Sequence, residues 1–260
     1  VGHDDASAKT GRRGHGNLEE AFPGNRLTLA SDLDGRLTIE IHGRGNRVEI
    51  GPGLERDLAT PTRRIGHLYI VGNHNRVVIG PNVKLKVGSR LRIRGHGNTL
   101  QVGGDCSLRL SVALHAGGAD FRIGAHCTGA NLLCTLHEPH RLWIGDDCIF
   151  ASQVWISVSD MHPIFDRTTG ERLNPGADVR IGDHVWFGHG VKVLKGVEIG
   201  SGSILGVGSI VTGSLPENCL VAGVPAKILR RNVVWSRDFP PAPVQDPQSL
   251  GAEGAFDLEL

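Results

Sequence analysis

From Ile181 onward, large apolar residues recur at every sixth position: Ile181, Phe187, Val193, Ile199, Leu205 and Val211. The residue after each is small or short at Gly182, Gly188, Gly200, Gly206 and Thr212, with Leu194 the exception. The fifth position of each hexad is compact as well, at Val185, Val191, Val197, Ser203 and Ser209. The frame recurs earlier at Ile144, Phe150 and Ile156, with Cys148 and Val154 in the fifth position, and weaker copies begin at Val102, Leu108 and Ile123. A period of six matches neither the 3.6 of a helix nor the 2 of a long strand. It fits a short strand closed by a sharp turn. Three hexads then make one triangular coil of 18 residues, and successive coils stack as parallel strands about 4.8 Å apart. The apolar positions point inward, and glycine is expected at corners that need positive φ. The pattern predicts an all-β parallel solenoid.

The first hundred residues carry a looser repeat. IHGRGNRVEIG (41–51), IVGNHNRVVIG (70–80) and IRGHGNTLQVG (93–103) share a slot filled by Asn46, Asn75 and Asn98, and Asn25 opens a partial copy. Each unit reads as strand, Gly/Asn turn, strand, because both residue types tolerate the left-handed conformation of turns. One solenoid over 25–231 is therefore expected, with about eleven coils at the strand spacing. It is flanked by a polar segment, 1–24, and a Pro-rich tail, 232–260; residues 1–24 and 240–260 are each expected to be mobile or to pack on a neighbouring subunit. One insertion breaks the frame: Ile156 and Ile181 lie 25 residues apart where a hexad needs six. The extra segment, SVSDMHPIFDRTTGERLNPGADVR (157–180), is polar and predicts an extruded loop, a natural carrier of a functional group on a rigid scaffold.

Composition narrows the classes. Glycine is 37 of 260 residues, about twice the usual ~7%, but without the three-residue period of collagen. Charges nearly cancel, 28 Lys+Arg against 27 Asp+Glu, so no bulk basic field is offered to nucleic acid or an anionic membrane. No apolar run approaches the ~20 residues of a membrane span, and the opening VGHDDASAKTGRR lacks the apolar stretch of a signal peptide. Five cysteines without a C-x-x-C pair read as small, reduced core residues, Cys106, Cys127 and Cys148 falling in the fifth hexad position. This usage suits the cytoplasm. His184 and His189, five apart, are candidate ligands at a coil corner, but no third histidine stands at a matching distance upstream, and no metal is expected. His15, His42, His67, His74 and His96 lie in the glycine turns and are expected to be solvated.

The stretch DVRIGDHVWFGHGVKVLKGVEIGSGSILGVGSIVTGSLPENCLVAGVPAKILR (178–230) resembles the hexapeptide-repeat acetyltransferases that use acetyl-CoA. SDMHPI, ERLNP and IGDHVWFG together resemble most the bacterial capsular polysaccharide (sialic acid polymer) O-acetyltransferases, over residues 123–231. The resemblance implies a left-handed parallel β-helix, a homotrimer with its active site between subunits, and an acetyl-CoA-dependent O-acetyltransferase acting on a carbohydrate hydroxyl. It places the catalytic histidine on His162 and the active-site tryptophan on Trp186. The acetyl-CoA contacts fall on His189, Val207, Thr212, Gly213, Lys227 and Arg230, and Gly188 and Gly206, stacked 18 residues apart, would line the pantetheine arm. His189 and Gly213 depart from the family pattern, standing where relatives often carry a smaller polar residue and a Lys or Arg. The residues suit the chemistry. A neutral imidazole can take the proton of an attacking alcohol, and a pKa of about 6.5 leaves an unperturbed one mostly neutral at neutral pH. Asp160, two residues earlier, is a candidate to hold the second ring nitrogen, or is solvated. Two other readings stay open: a non-catalytic solenoid that binds glycans or scaffolds an assembly, and a zinc-dependent lyase or hydrolase.

Overall fold

The computed structural model describes residues 8–9, 22–30, 37–54 and 66–238. Strands and turns account for all its regular structure, with no helix among the described residues. One wall of the solenoid is a parallel sheet with one strand per coil: Arg26–Leu29, Arg47–Ile50, Arg76–Ile79, Thr99–Val102, Asp120–Ile123, Arg141–Ile144, Val179–Ile181 and Glu198–Ile199. Leu215 adds a single bridge beyond Ile199. The eight strands of this wall correct the expected eleven coils. The insertion consumes more than a full coil of chain, and the early coils take 21 to 29 residues each, as the spacing from Asn25 to Asn46 and from Asn46 to Asn75 shows.

The opposite side changes shape along the axis. In the early coils it is one long strand per turn, Leu37–His42, Gly66–Val71, Ser89–Arg94, Ser107–Leu114 and Thr128–Leu136, with the short Lys84–Leu85 preceding Ser89–Arg94. LTIEIH and SRLRIR alternate inward and outward without a break, so nothing bends them. From Ile149 the strand divides into two short faces, Ile149–Phe150 with Val154–Ser157, Trp186–Phe187 with Lys192–Val193, and Ile204–Leu205 with Ile210–Val211. The section thus passes from two-walled to triangular where the strict hexads begin. The hairpin of Cys219–Gly223 and Ala226–Arg231 closes that end.

The predicted inward positions are buried, among them Ile144, Phe150, Ile156, Ile181, Phe187, Val193, Ile199, Leu205 and Val211. Phe150 and Phe187 stack at 4.7 Å. All five cysteines are buried and unpaired, and the Cys106, Cys127 and Cys148 thiols each donate to a backbone carbonyl one coil on, at Gly124, Gly145 and Gly182.

Two readings of local structure are corrected. Asn46, Asn75 and Asn98 are not turn residues; they are buried and form a ladder along the axis. Asn75 donates its main-chain N–H and Nδ2 to Asn46 Oδ1, and Asn98 donates the same pair to Asn75 Oδ1, all at 2.9 Å. Each buried amide oxygen thereby satisfies the main-chain N–H of the asparagine one coil on. Nor do the glycines after the apolar residues serve positive φ. Gly182, Gly188, Gly200 and Gly206 have ordinary backbone angles, and a Cβ on any of them would meet the next coil at 2.3–2.9 Å. One corner that does require positive φ is turned by Asn82, Asp105, His126, Asp147 and His184 instead, at φ 53–58°. Several expected turn histidines also move: His42 and His67 stand in strands, and His15 lies outside the described residues.

Candidate active site

The insertion leaves the solenoid after Ser157 and returns at Val179. Its roots are buried and tied down. Ser157 Oγ donates to Ser159 O at 2.7 Å, and Ala177 N donates to Val158 O at 2.9 Å. Beyond them the loop folds on itself, with an antiparallel bridge between Phe165 and Arg172 and Asp166 Oδ1 accepting from Thr168 N and Thr169 N at 2.7 Å.

Asn174 is the internal brace, 8% exposed. Its Oδ1 accepts from Ile164 N at 2.6 Å, and its Nδ2 donates to Asp160 Oδ2 and His162 O at 2.9 Å. Two ion pairs fasten the loop to neighbouring coils. Arg172 grips Glu138 through two hydrogen bonds of 2.7 and 3.0 Å, and Lys195 pairs with Asp160. The Arg172 guanidinium holds the Glu138 carboxyl below the usual carboxylate range, and the Lys195 ammonium followed by Asn174 does the same to Asp160. Asp160 therefore anchors the loop; its observed partners are Lys195 and Asn174, not the ring of His162.

His162 sits exposed on this scaffold. Its main chain is fixed at both ends, N–H to Asp160 O at 2.8 Å and C=O from Asn174. Among the described residues its ring has no hydrogen-bond partner. Met161, just before it, takes φ 67°, a costly conformation for a side-chain-bearing residue that surrounding contacts must enforce. On the adjoining edge His115 and His137 stack at 4.3 Å and 13°. Burial and then the charge of His162 lower the His137 pKa; burial, His137, Arg94 and Arg92 lower that of His115.

The remaining predicted residues divide between two edges of the triangle. Thr212 and Gly213, both exposed, follow Val211 on the edge from which the His162 loop springs. Trp186 lies on the neighbouring face, 42% exposed, followed by the edge that carries Gly188, His189, Gly206 and Val207. Gly188 and Gly206 are stacked, Gly188 N donating to Leu205 O at 2.8 Å. Val207 is 74% exposed. Lys227 pairs in register with Ala222, which packs against Gly206, and Arg230 is exposed on the same closing hairpin. No hydrogen bond or ring contact joins Trp186 to His162 among the described residues; Trp186 lies in a strand on one face of the triangle, and the His162 loop follows a strand on another. The two candidate metal ligands also part company: His189 Nδ1 meets Ser152 Oγ at 2.6 Å, whereas His184 binds Asp147 and the carbonyl of Trp235.

Sequence reasoning missed the braces Glu138, Arg172, Asn174 and Lys195. A signal existed for two of them, since Arg172 and Asn174 belong, with Glu171, to the polar positions of ERLNP. It also missed that residues 232–238 dock on their own solenoid. Trp235 stacks on His184 at 3.8 Å, and Arg237 reaches Asp147 Oδ1 at 2.7 Å and Thr128 Oγ1 at 2.8 Å.

No helix among the described residues is long and apolar enough to cross a membrane. The family described as bacterial transferase hexapeptide (six repeats) matches residues 178–213. The polysialic acid O-acetyltransferase of Neisseria meningitidis is 39% identical over 166 residues, 63% of this chain and 77% of that protein. The polysialic acid O-acetyltransferase of Escherichia coli O1:K1 / APEC is 35% identical over 120 residues, 46% of this chain and 39% of that protein. The crystal structure of the polySia-specific acetyltransferase NeuO superposes with a TM-score of 0.71 at 31% identity, over 80% of this chain and 92% of that one. The shared coils and the extent of the match to the Neisseria protein establish that this chain belongs to the hexapeptide-repeat O-acetyltransferases.

Proposed function

We propose that the protein transfers an acetyl group from acetyl-CoA to a hydroxyl of an acidic carbohydrate, with His162 as general base. The observation that carries this reading is the state of His162: main chain pinned, ring exposed and unpartnered among the described residues, on a long excursion from a rigid solenoid. As the acceptor oxygen attacks the thioester carbonyl, His162 takes its proton. When the carbon–sulfur bond breaks, the same imidazolium returns that proton to the CoA thiolate. Trp186 fits beside the reacting carbonyl, where a donor is needed for the developing oxyanion.

The division of residues between two edges supports a site shared by neighbouring chains. In a homotrimer the edge with His162, Thr212 and Gly213 of one chain faces the edge with Trp186, Gly188, His189, Gly206 and Val207 of the next. The pantetheine arm then runs past the two stacked glycines, where no side chain intervenes, and Lys227 and Arg230 meet the phosphates of CoA. The acidic acceptor is argued from the outward side of Ser89–Arg94. Arg90, Arg92 and Arg94 are exposed, and no carboxylate among the described residues pairs with them. The names of the relatives, polysialic acid O-acetyltransferases, agree with such an acceptor. Buried, unpaired cysteines suit a reducing compartment, in keeping with a cytoplasmic enzyme.

The test is His162→Ala, read by thiol release from acetyl-CoA in the presence of polysialic acid. Loss of a general base costs about 10²–10⁴ in rate, with the solenoid's circular dichroism unchanged. Turnover at the wild-type rate removes His162 from the mechanism.

A further inference from the structure

The edge beneath the His162 loop carries two polar atoms that the protein leaves unanswered. Thr135 is 8% exposed, yet its Oγ1 is buried without a partner, and so is Nδ1 of His137. Buried polar groups are ordinarily satisfied, and an exception calls for an explanation. The surroundings are not loose. Val158 N and Ser157 Oγ both donate to the carbonyl of Thr135, at 3.4 Å each. Glu138, on the other side of His137, holds Arg172 and accepts from Gly176 N at 3.2 Å. His137 is thus caught between the outgoing and returning legs of the loop, with its ring pressed against His115. An imidazole placed this way, without a hydrogen bond to any described residue, is organised for something else.

Its chemistry is also constrained. His162 acts on it from the loop and His115 stacks on it, while Arg94 and Arg92 act on His115. The nearest carboxylate, Glu138, is occupied by Arg172. Burial, followed by the neighbouring His162, lowers the His137 pKa and so favours the neutral ring. Orphaned buried N–H groups are rarer than orphaned acceptors, which leaves Nδ1 bare and puts the proton on Nε2. Among the described residues that nitrogen has no hydrogen-bond partner, and it is not among the buried unpartnered atoms, so it is open to a ligand.

We infer that His137 is an acceptor-binding residue: its Nε2–H donates to an oxygen of the same sugar whose hydroxyl His162 deprotonates. The inference rests on the proposed O-acetyl transfer and adds the group that sets which hydroxyl is presented. It differs from a merely structural role under the loop, which would leave acceptor affinity alone.

The experiment compares wild type, His137→Ala and His137→Gln, the last keeping an amide N–H near the position of Nε2. Acetylation of polysialic acid is measured with each substrate varied in turn, together with the thermal midpoint. The expected result is a tenfold or greater rise in the KM for polysialic acid in His137→Ala, substantial recovery in His137→Gln, and a KM for acetyl-CoA within twofold of wild type. Acceptor kinetics within twofold of wild type in His137→Ala overturn the inference. So does a lowered midpoint with both KM values raised together and no rescue by glutamine, which marks a structural prop. Wild-type protein that fails to acetylate polysialic acid at all overturns the acceptor reading and this inference with it, a result separable from the others because it needs no variant.

Discussion

Asn75→Ala removes one rung from the middle of the asparagine ladder, and the structure says what is stranded. The main-chain N–H of residue 75 keeps its bond to Asn46 Oδ1, but the Oδ1 that accepts from Asn98 is gone. Two donors, Asn98 N and Asn98 Nδ2, lose their partner inside a wall where Asn98 is 1% exposed. Gly95 O loses the donation from Asn75 Nδ2 as well. A buried group left unsatisfied costs about 1–3 kcal/mol, so the two donors alone give about 2–6 kcal/mol, against a typical domain stability of about 5–15 kcal/mol. Asn98→Ala is the internal control. At that upper end of the ladder only Ala119 N loses its acceptor, Asn98 Oδ1, so the same reasoning gives about 1–3 kcal/mol. Urea unfolding of the two variants yields the difference, and hydrogen exchange over residues 89–102 locates it, since a solenoid transmits damage mainly to neighbouring coils. If Asn75→Ala costs less than Asn98→Ala, or neither costs as much as about 1 kcal/mol, the ladder is not a source of stability and the reasoning is wrong.

Three further outcomes are expected. Mixing inactive His162→Ala with inactive Trp186→Ala chains, then dissociating and reassembling them, restores part of the transfer activity, because some interfaces pair an intact His162 with an intact Trp186; no recovery in mixed oligomers refutes the shared site. Arg92→Ala weakens the dependence of the polysialic acid KM on salt between about 50 and 300 mM, because one exposed guanidinium no longer contributes to a screened attraction; an unchanged slope refutes its place on the acceptor face. Burial opposes the charge of His184, but its hydrogen bonds to Asp147 and the Trp235 carbonyl outweigh it and raise its pKa above the ordinary 6.5. The folded state then binds more protons than the unfolded one, so this contribution is complete below about pH 6.5 and is lost as pH rises through the folded value. The stability difference between wild type and His184→Gln, followed from pH 5.5 to 8.5, should shrink toward the alkaline end; a flat difference contradicts the proposed charge.

The hexad register was legible because a six-residue period has only one inward position that must be large, and Ile181 through Val211 fill it without exception. The excursion was legible for the same reason, as a gap in that period. What holds His162 within it was not. Glu138 and Arg172 are 34 residues apart, and Asp160 and Lys195 are 35 apart; such pairs meet only after the coils have stacked. The asparagine slot was found but misread, because an amide facing inward and an amide in a turn look alike when each appears once per repeat. The glycines were found for a wrong reason too. Gly188 and Gly206 are required by the closeness of the next coil, a distance that no local pattern encodes. Trp235 and Arg237 sit in a stretch without any period, and their docking depends on a pocket made by His184, Asp147 and Thr128 from three different coils.

The change from a two-walled to a triangular section divides labour along the axis. The broad early strands offer a flat plank on which Ser89–Arg94 sets three outward arginines, while the later hexads supply sharp rims. Because each turn leans only on its neighbours, duplicating a unit such as 76–98 would lengthen the plank by about 4.8 Å and leave the reacting groups where they are. Grip on a polymer and chemistry on one of its units are thereby free to vary independently.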